Sequence, residues 1–260
     1  MLVLVTGATG RLGRAVVSEL VARVHAVRIL TRHPDRSPDL VTTVAGDITA
    51  DSPLADAVDG VEAIVHCATD RGDHRRVDAL ATERMAAFAA RAGRPHIVYP
   101  GIVGSDVVPL RYHRSKQSAE ESLIGSGLPT SIIRATHFHH QLWSILERMS
   151  RFPLMPMPRD TRLQPIDPAD VAVRLADAVE HGPLPGVSEI GGPNVYEAAD
   201  LARSHKAATG HRSRILTVNY PGITGAALRA GAALTSTRVE SGRTWNAFVA
   251  SQLTSDASGS

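Results

Sequence analysis

The residues best suited to chemistry stand in two places. Tyr112 and Lys116 are four positions apart, in Tyr112-His113-Arg114-Ser115-Lys116. On a helix this spacing puts a phenol and an ammonium on one face, aimed into one cleft. A phenol held beside an ammonium is placed to give a proton to an oxyanion as it develops. The other place is Thr6-Gly7-Ala8-Thr9-Gly10-Arg11-Leu12-Gly13. Gly7 permits a sharp turn, Gly10 lets backbone N–H groups approach a phosphate, and Gly13 lets a helix sit close to a sheet. With the positive end of a helix dipole behind it, this turn suits a dinucleotide pyrophosphate, and Gly7, Thr9, Gly10, Arg11, Leu12 and Gly13 are its candidate contacts.

Other reactive residue types read as structural. Cys67 is the single cysteine; no thiolate-stabilising partner surrounds it in sequence, so a small buried group is expected rather than a nucleophile. His137, His139 and His140 crowd one loop without Asp, Glu or Cys at ligand spacing. No metal site is expected there, and the histidines are candidates for substrate contacts or packed rings.

The elements that must position these groups follow from the apolar pattern. Residues 2–5 form an unbroken apolar run, the mark of a strand buried on both faces, and residues 12–20 ride on a helix. Further strands are expected at 25–30, 41–45, 61–66, 96–99 and 129–134. A helix at about 74–92 carries Val77, Leu80, Met85 and Phe88 on its apolar face and is stopped by Gly93 and Pro95; the helix of Tyr112 continues through Leu123. Strands and helices alternating over short connections imply an α/β, doubly wound parallel sheet. In such a sheet the residue after the second strand discriminates between cofactors, an acid favouring NAD and an arginine holding a 2′-phosphate. Arg32 arrives there before any acid, so NADPH is the expected cofactor, and Arg11 stands where it can close on the same phosphate.

Beyond Trp143 the composition changes. A Pro- and Met-rich connector at 152–158 leads to a helix capped by Asp167-Pro168-Ala169-Asp170 and running to about His181. A strand at 187–190, a helix at 197–208, a strand at 215–219 and a helix around Trp245 complete a smaller lobe. The organisation expected is a dinucleotide-binding core over 1–150, to which 182–192 returns, a mainly substrate-side lobe over 151–254, and a disordered tail over 255–260.

Composition narrows the function classes. At 260 residues, 43% hydrophobic and 21% charged, the chain can bury a full α/β core. A 4% aromatic share leaves little stacking surface for single-stranded nucleic acid, and a net charge of +2 comes without a long basic run, so no nucleic-acid partner is expected. One cysteine allows no internal disulfide, the chain opens directly on a strand, and no apolar stretch approaches a membrane span. A soluble cytoplasmic protein is expected, a monomer or homodimer without membrane contact.

The spacing Thr-Gly-x-x-Gly-x-x-Gly resembles the short-chain dehydrogenase/reductase superfamily, and Val-Thr-Gly-Ala-Thr-Gly-Arg-Leu-Gly resembles its atypical, NmrA-like branch of NAD(P)-binding proteins. The resemblance runs over nearly the whole chain, through Tyr-x-x-x-Lys, Arg134-Ala135-Thr136-x-Phe138, Gly191-Gly192-Pro193 and the terminal Trp245 helix. It implies a Rossmann-type sheet with a smaller C-terminal substrate lobe. It further implies that Lys116 holds the nicotinamide ribose, that Asp47 and Ile48 face the adenine, that Cys67, Ala68 and Thr69 lie where ribose and pyrophosphate cross the sheet, and that Ala135 and Thr136 pass the nicotinamide. For Asp47 the alternative is a plain turn cap.

One position departs from the family pattern. Its usual serine at the end of the fifth strand is Gly101 here, in Val98-Tyr99-Pro100-Gly101. Losing one preorganised donor typically costs about 2.7–4 kcal/mol of barrier lowering. Ser105 and Thr69 are nearby hydroxyls, and Gly101, Ser105, His137, Phe138 and His139 are the candidate substrate contacts. The expected function is an NADPH-dependent reductase of a small or medium-sized carbonyl, enone or quinone-like molecule, with Tyr112 as proton donor. The departure at Gly101 leaves two other readings: a dinucleotide-binding redox sensor without turnover, and a non-redox epimerase or cyclase.

Overall fold

The computed structural model of the protein describes residues 1–34, 41–69 and 79–257. Its main sheet has seven strands in the order β3-β2-β1-β4-β5-β6-β9, namely Thr42–Ala45, Ala26–Thr31, Leu2–Thr6, Ala63–His66, His96–Ile102, Thr130–Ala135 and Val187–Ile190. β1 pairs in parallel with β2 on one side and β4 on the other, β2 with β3, and β4 with β5. This is the doubly wound topology that the alternating pattern implies. The order reverses between β1 and β4, and ligands of such sheets bind at the carboxyl ends of the strands beside that reversal.

β1 is apolar because both its faces are covered: Val3, Leu4 and Val5 are fully buried. α1 (Arg11–Ala22) covers one face with Gly13, Val16, Val17 and Leu20, a helical stripe of period 3.6. On the other side Leu4, Leu54, Ile64, Met85, Ile97 and Leu123 meet in one cluster, drawing in α2 (Asp51–Val58), α3 (Ala81–Arg91) and α4 (Arg111–Gly125). Each large aliphatic side chain buried there contributes about 1.5–3 kcal/mol.

The chain divides into two compact units. The first comprises Met1–Gly101, Arg111–Arg134 and Pro168–Ser188, so it includes α6 (Pro168–His181). The sequence pattern placed that helix in the smaller lobe; it packs on α1 instead. Arg23, just past the end of α1, binds Asp177 and Glu180 of α6 at 2.8 Å each and Glu19 of its own helix at 2.8 Å.

The second unit comprises Ile102–Leu110, Ala135–Asp167 and Glu189–Ser260. Its core joins Leu142, Leu146, Met155, Met157, Leu201, Trp245 and Phe248, from α5 (His139–Ser150), β7 (Leu154–Pro158), α7 (Ala198–Thr209) and α9 (Trp245–Ala257). The Pro- and Met-rich stretch is more than a connector. As β7 it pairs in parallel with β11 (Arg214–Val218), burying Met155 and Met157 while its prolines face away. A two-residue β8 (Arg162–Leu163) pairs with β10 (Tyr196–Glu197), and α8 (Gly222–Arg229) follows β11.

Several boundaries differ from expectation. His74 and Val77, placed on the helix before Gly93, lie outside the described residues, as do Ser258, Gly259 and Ser260. The tail expected to be disordered from Ser255 is still helical through Ala257. α2 and α8, each of eight residues, are too short to show a readable period.

Candidate functional site

Four strand ends of the first unit open on a cleft of about 260 Å³. Thr6, Gly7, Thr9 and Gly10 line it after β1, Thr31, Arg32 and His33 after β2, Gly46, Asp47 and Ile48 after β3, and Cys67, Ala68 and Thr69 after β4. The cleft therefore sits at the reversal between β1 and β4.

The glycines divide the work. Gly7 has φ +66°, and a Cβ there would lie 2.6 Å from the Ala68 nitrogen. A Cβ on Gly13 would run into the Gly7 carbonyl oxygen, so Gly13 is what lets α1 close on the turn. Gly10 is the N-cap of α1 and has no side chain to cap the first-turn N–H groups, and that turn holds no acid. Uncapped N–H groups and the positive dipole end beside an open cleft are the donor set a pyrophosphate requires, so the residues present fit the dinucleotide. Arg11 is exposed and Leu12 half-buried on the same turn.

Asp47 is the turn cap that the sequence left as its alternative role: its Oδ1 accepts from the Thr49 backbone N–H at 2.8 Å and from the Thr49 hydroxyl at 2.7 Å. Its Oδ2 lies 3.8 Å from Arg32 Nη1. Arg32 lines the cleft and keeps 64% of its side chain exposed.

At the β4 end, α4 turns Lys116 inward. Lys116 is 4% exposed, its Nζ 4.9 Å from the centre of the Tyr99 ring and 5.9 Å from that of Tyr112. Its charge reaches β4: burial first, then Lys116, holds the His66 imidazole down to about 3. Burial pushes the Cys67 thiol up to about 12 against the pull of Lys116, so Cys67 is a thiol and not a thiolate. Tyr112 is half-buried on the same helix face.

Gly101 holds a feature the sequence did not disclose. A Cβ there would run into the carboxylate of Glu120, with Arg134 Cγ only 2.9 Å away. Glu120 and Arg134 form a forked ion pair, Nε to Oε2 at 3.1 Å and Nη2 to Oε2 at 2.8 Å, with 3% and 12% of their side chains exposed. The place of the expected serine is thus filled by a buried ion pair. The signals were present: Glu120 continues the Tyr112–Lys116 face by one more turn, and Arg134 is a charge inside an otherwise apolar strand.

The remaining candidates belong to the second unit. Ala135 is 3% exposed; the Thr136 hydroxyl donates to the Gln164 carbonyl and its N–H to Ile190 at 3.0 Å, so Thr136 secures its own loop. His139 opens α5 fully buried, stacked on Phe248 at 5.2 Å, and Phe138 stacks on His140 at 5.5 Å. His139 is therefore a packed ring and closed to a substrate, and Ser105, 2% exposed, is likewise shut in. His137 and Phe138 are half-buried. Among the described residues, no group of three or more His, Cys, Asp or Glu side chains is placed to hold a metal ion.

Strand order, glycine turn and cleft together define a dinucleotide-binding protein of the Rossmann class. The chain belongs to the NAD(P)H-binding family, whose model matches residues 7–181, and its fold is that of the atypical, NmrA-like short-chain dehydrogenase/reductases. Divinyl chlorophyllide a 8-vinyl-reductase of Zea mays is 32% identical over 219 residues, 74% of this chain and 55% of that protein. The chain covers still less, 19%, of an uncharacterised Mycobacterium tuberculosis relative. The Escherichia coli NADPH-dependent quinone oxidoreductase complexed with NADPH superposes with TM-score 0.79 at 18% identity, covering 96% of this chain and 99% of that one. The Citrobacter triphenylmethane reductase gives 0.79 at 16%, over 98% and 100%.

Proposed function

We propose that this protein is an NADPH-dependent reductase of a small or medium-sized organic molecule, of carbonyl, enone or quinone-like chemistry. The observation that carries this reading is the buried Lys116 ammonium, set against the Tyr112 ring on α4 and facing the end of β4, where the glycine cleft lies. The similar E. coli quinone oxidoreductase, Citrobacter triphenylmethane reductase and maize vinyl-reductase support it. When bound, the cofactor supplies a hydride. The chain's own residues do the rest. Gly7 to Gly13 hold the pyrophosphate, Arg32 leaves Asp47 for the 2′-phosphate, and Lys116 holds the nicotinamide ribose. The Tyr112 Oη gives its proton to the substrate oxygen.

A second reading, dinucleotide binding without turnover, is favoured by Gly101, where Glu120 and Arg134 leave no room for a serine hydroxyl. A panel of carbonyls, enones and quinones, followed by nicotinamide absorbance and by mass spectrometry, separates the readings. Reduction predicts matched loss of NADPH and gain of reduced product. A binder consumes nothing, and a non-redox enzyme makes product at constant absorbance. Calorimetric titration tests the cofactor: NADPH binds more tightly than NADH, and Arg32→Ala abolishes the difference. Equal affinities in the wild type overturn the assignment of NADPH.

A further inference from the structure

We propose that the protein forms a two-fold dimer through the outer edge of β11, two copies of that strand pairing antiparallel into one four-stranded sheet. Among the described residues, β7 and β11 pair only with each other, so each has an outer edge. In their parallel register Leu154 stands beside Arg214, Pro156 beside Leu216 and Pro158 beside Val218. The Arg214 N–H donates to the Pro153 carbonyl and the Arg159 N–H to that of Val218, both at 2.8 Å. This pattern turns the backbone groups of Arg214, Leu216 and Val218 toward β7 and those of Ile215 and Thr217 away from it.

The two edges differ. On β7 the outward positions are Leu154, Pro156 and Pro158, and a proline has no N–H to offer, so that edge is closed to a further strand. On β11 the outward positions keep both groups: the N–H and C=O of Ile215 and Thr217 take no partner among the described residues. β11 has no proline, and its one charge is Arg214 at the start, so the usual protection of an edge is missing. Its side chains are bare as well. Leu216 and Val218 keep 44% and 37% of their surface exposed, and Tyr220, just beyond the strand, keeps 44%.

A second copy of the chain is the strand that fits this edge. In an antiparallel pair centred on Leu216, Ile215 faces Thr217 of the partner subunit and exchanges both backbone hydrogen bonds with it, and the two-fold axis repeats the exchange at the other end. Leu216 meets its own counterpart in the non-hydrogen-bonded pair between them, where side chains approach most closely. Arg214 comes to lie over Val218 of the partner subunit and the exposed Arg212 toward Tyr220 of the partner subunit, an arginine stem on an apolar side chain and a guanidinium on a ring. The two Arg214 side chains stand at opposite ends of the pair, about 14 Å apart along the strands. Assembly stops at two copies, because the joined sheet, β7-β11-β11-β7, ends on a proline edge at each side. Pairing over so few residues is at the small end of specific interfaces, below ~1,200 Å² in total, so a dimer of micromolar Kd is expected.

Sedimentation velocity of the full chain over a range of concentrations reads the dimer. The wild type is expected to pass from one copy to two as concentration rises, and to stop there. Thr217→Pro removes one outward N–H per copy without touching a bond to β7, and is expected to weaken the dimer about tenfold or more. Leu216→Lys and Leu216→Glu each abolish it, and mixing the two variants restores it, because position 216 meets itself on the axis. Circular dichroism and the unfolding midpoint check that each variant folds. Leu216→Cys is a smaller change read independently: mild oxidation cross-links its two copies, whereas Val218→Cys, which faces Arg214, does not cross-link. A wild type that stays a single copy up to millimolar concentration overturns the proposal, even where another protein or a lipid surface is found to cover β11. A dimer that survives Thr217→Pro and both charged variants, with no cross-link in Leu216→Cys, overturns it equally, since the copies then meet elsewhere.

Discussion

At the scale of single residues, the reductase reading separates binding from chemistry. Tyr112→Phe lowers turnover about 10²–10⁴-fold, the usual worth of a positioned acid. NADPH affinity changes little, because the lost proton acts only as charge develops on the substrate. Lys116→Ala weakens both, since its ammonium serves ribose and phenol together. Steady-state kinetics beside calorimetry distinguishes the two patterns. Gly101→Ser looks from sequence like a restoration of the missing hydroxyl. The structure reverses that expectation, because the new Cβ meets the Glu120 carboxylate and Arg134. The variant is expected to lose about 1–3 kcal/mol of stability through overpacking, read by denaturant unfolding, and to gain no carbonyl reduction.

At the scale of elements, a buried histidine ties strands to helix. His66 ends β4 and bridges Thr6 of β1 to Thr82 of α3. Its pKa is about 3 in the fold against an ordinary 6.5, so between those values the unfolded chain takes up a proton that the folded chain refuses. Its contribution is complete above pH 6.5 and is lost as the pH falls toward 3. The slope from this one group approaches about 1.4 kcal/mol per pH unit within that window. Unfolding midpoints measured across the window decline in the wild type and decline less in His66→Gln. Glu180, held low first by His25 and then by Arg23 of the α1–α6 contact, adds a loss only below the ordinary carboxylate range.

At the scale of the whole molecule, the cleft's lining comes entirely from the first unit, so the cofactor's stabilisation is concentrated there. NADPH at about a hundred times its Kd stabilises the state that binds it by about 2.7 kcal/mol. For a unit of this size that is a rise in Tm of roughly 5–10 °C. Scanning calorimetry with and without NADPH, paired with hydrogen exchange, is expected to show the gain in the residue 6–13 turn and the strands beside it. A gain confined to the second unit contradicts the site. No helix among the described residues is long and apolar enough to cross a membrane.

The sequence by itself determined what local physics dictates. Leu2 to Val5 had to be a doubly buried strand, Gly7, Gly10 and Gly13 had to make the turn, and Tyr112 and Lys116 had to share a helix face, because period and glycine spacing are properties of neighbouring residues. Family wording extended this to a Rossmann-type sheet with a smaller C-terminal lobe. Tertiary structure decided whatever depends on residues far apart in the chain. It packed α6 on α1 through Arg23, paired β7 with β11, and buried His139 against Phe248. It also filled the place beside Gly101 with Glu120 and Arg134, 19 and 33 positions away, and set Tyr99 beneath Lys116, 17 positions on. Periodicity tells which face a side chain takes, and only the assembled sheet and helices tell what that face meets.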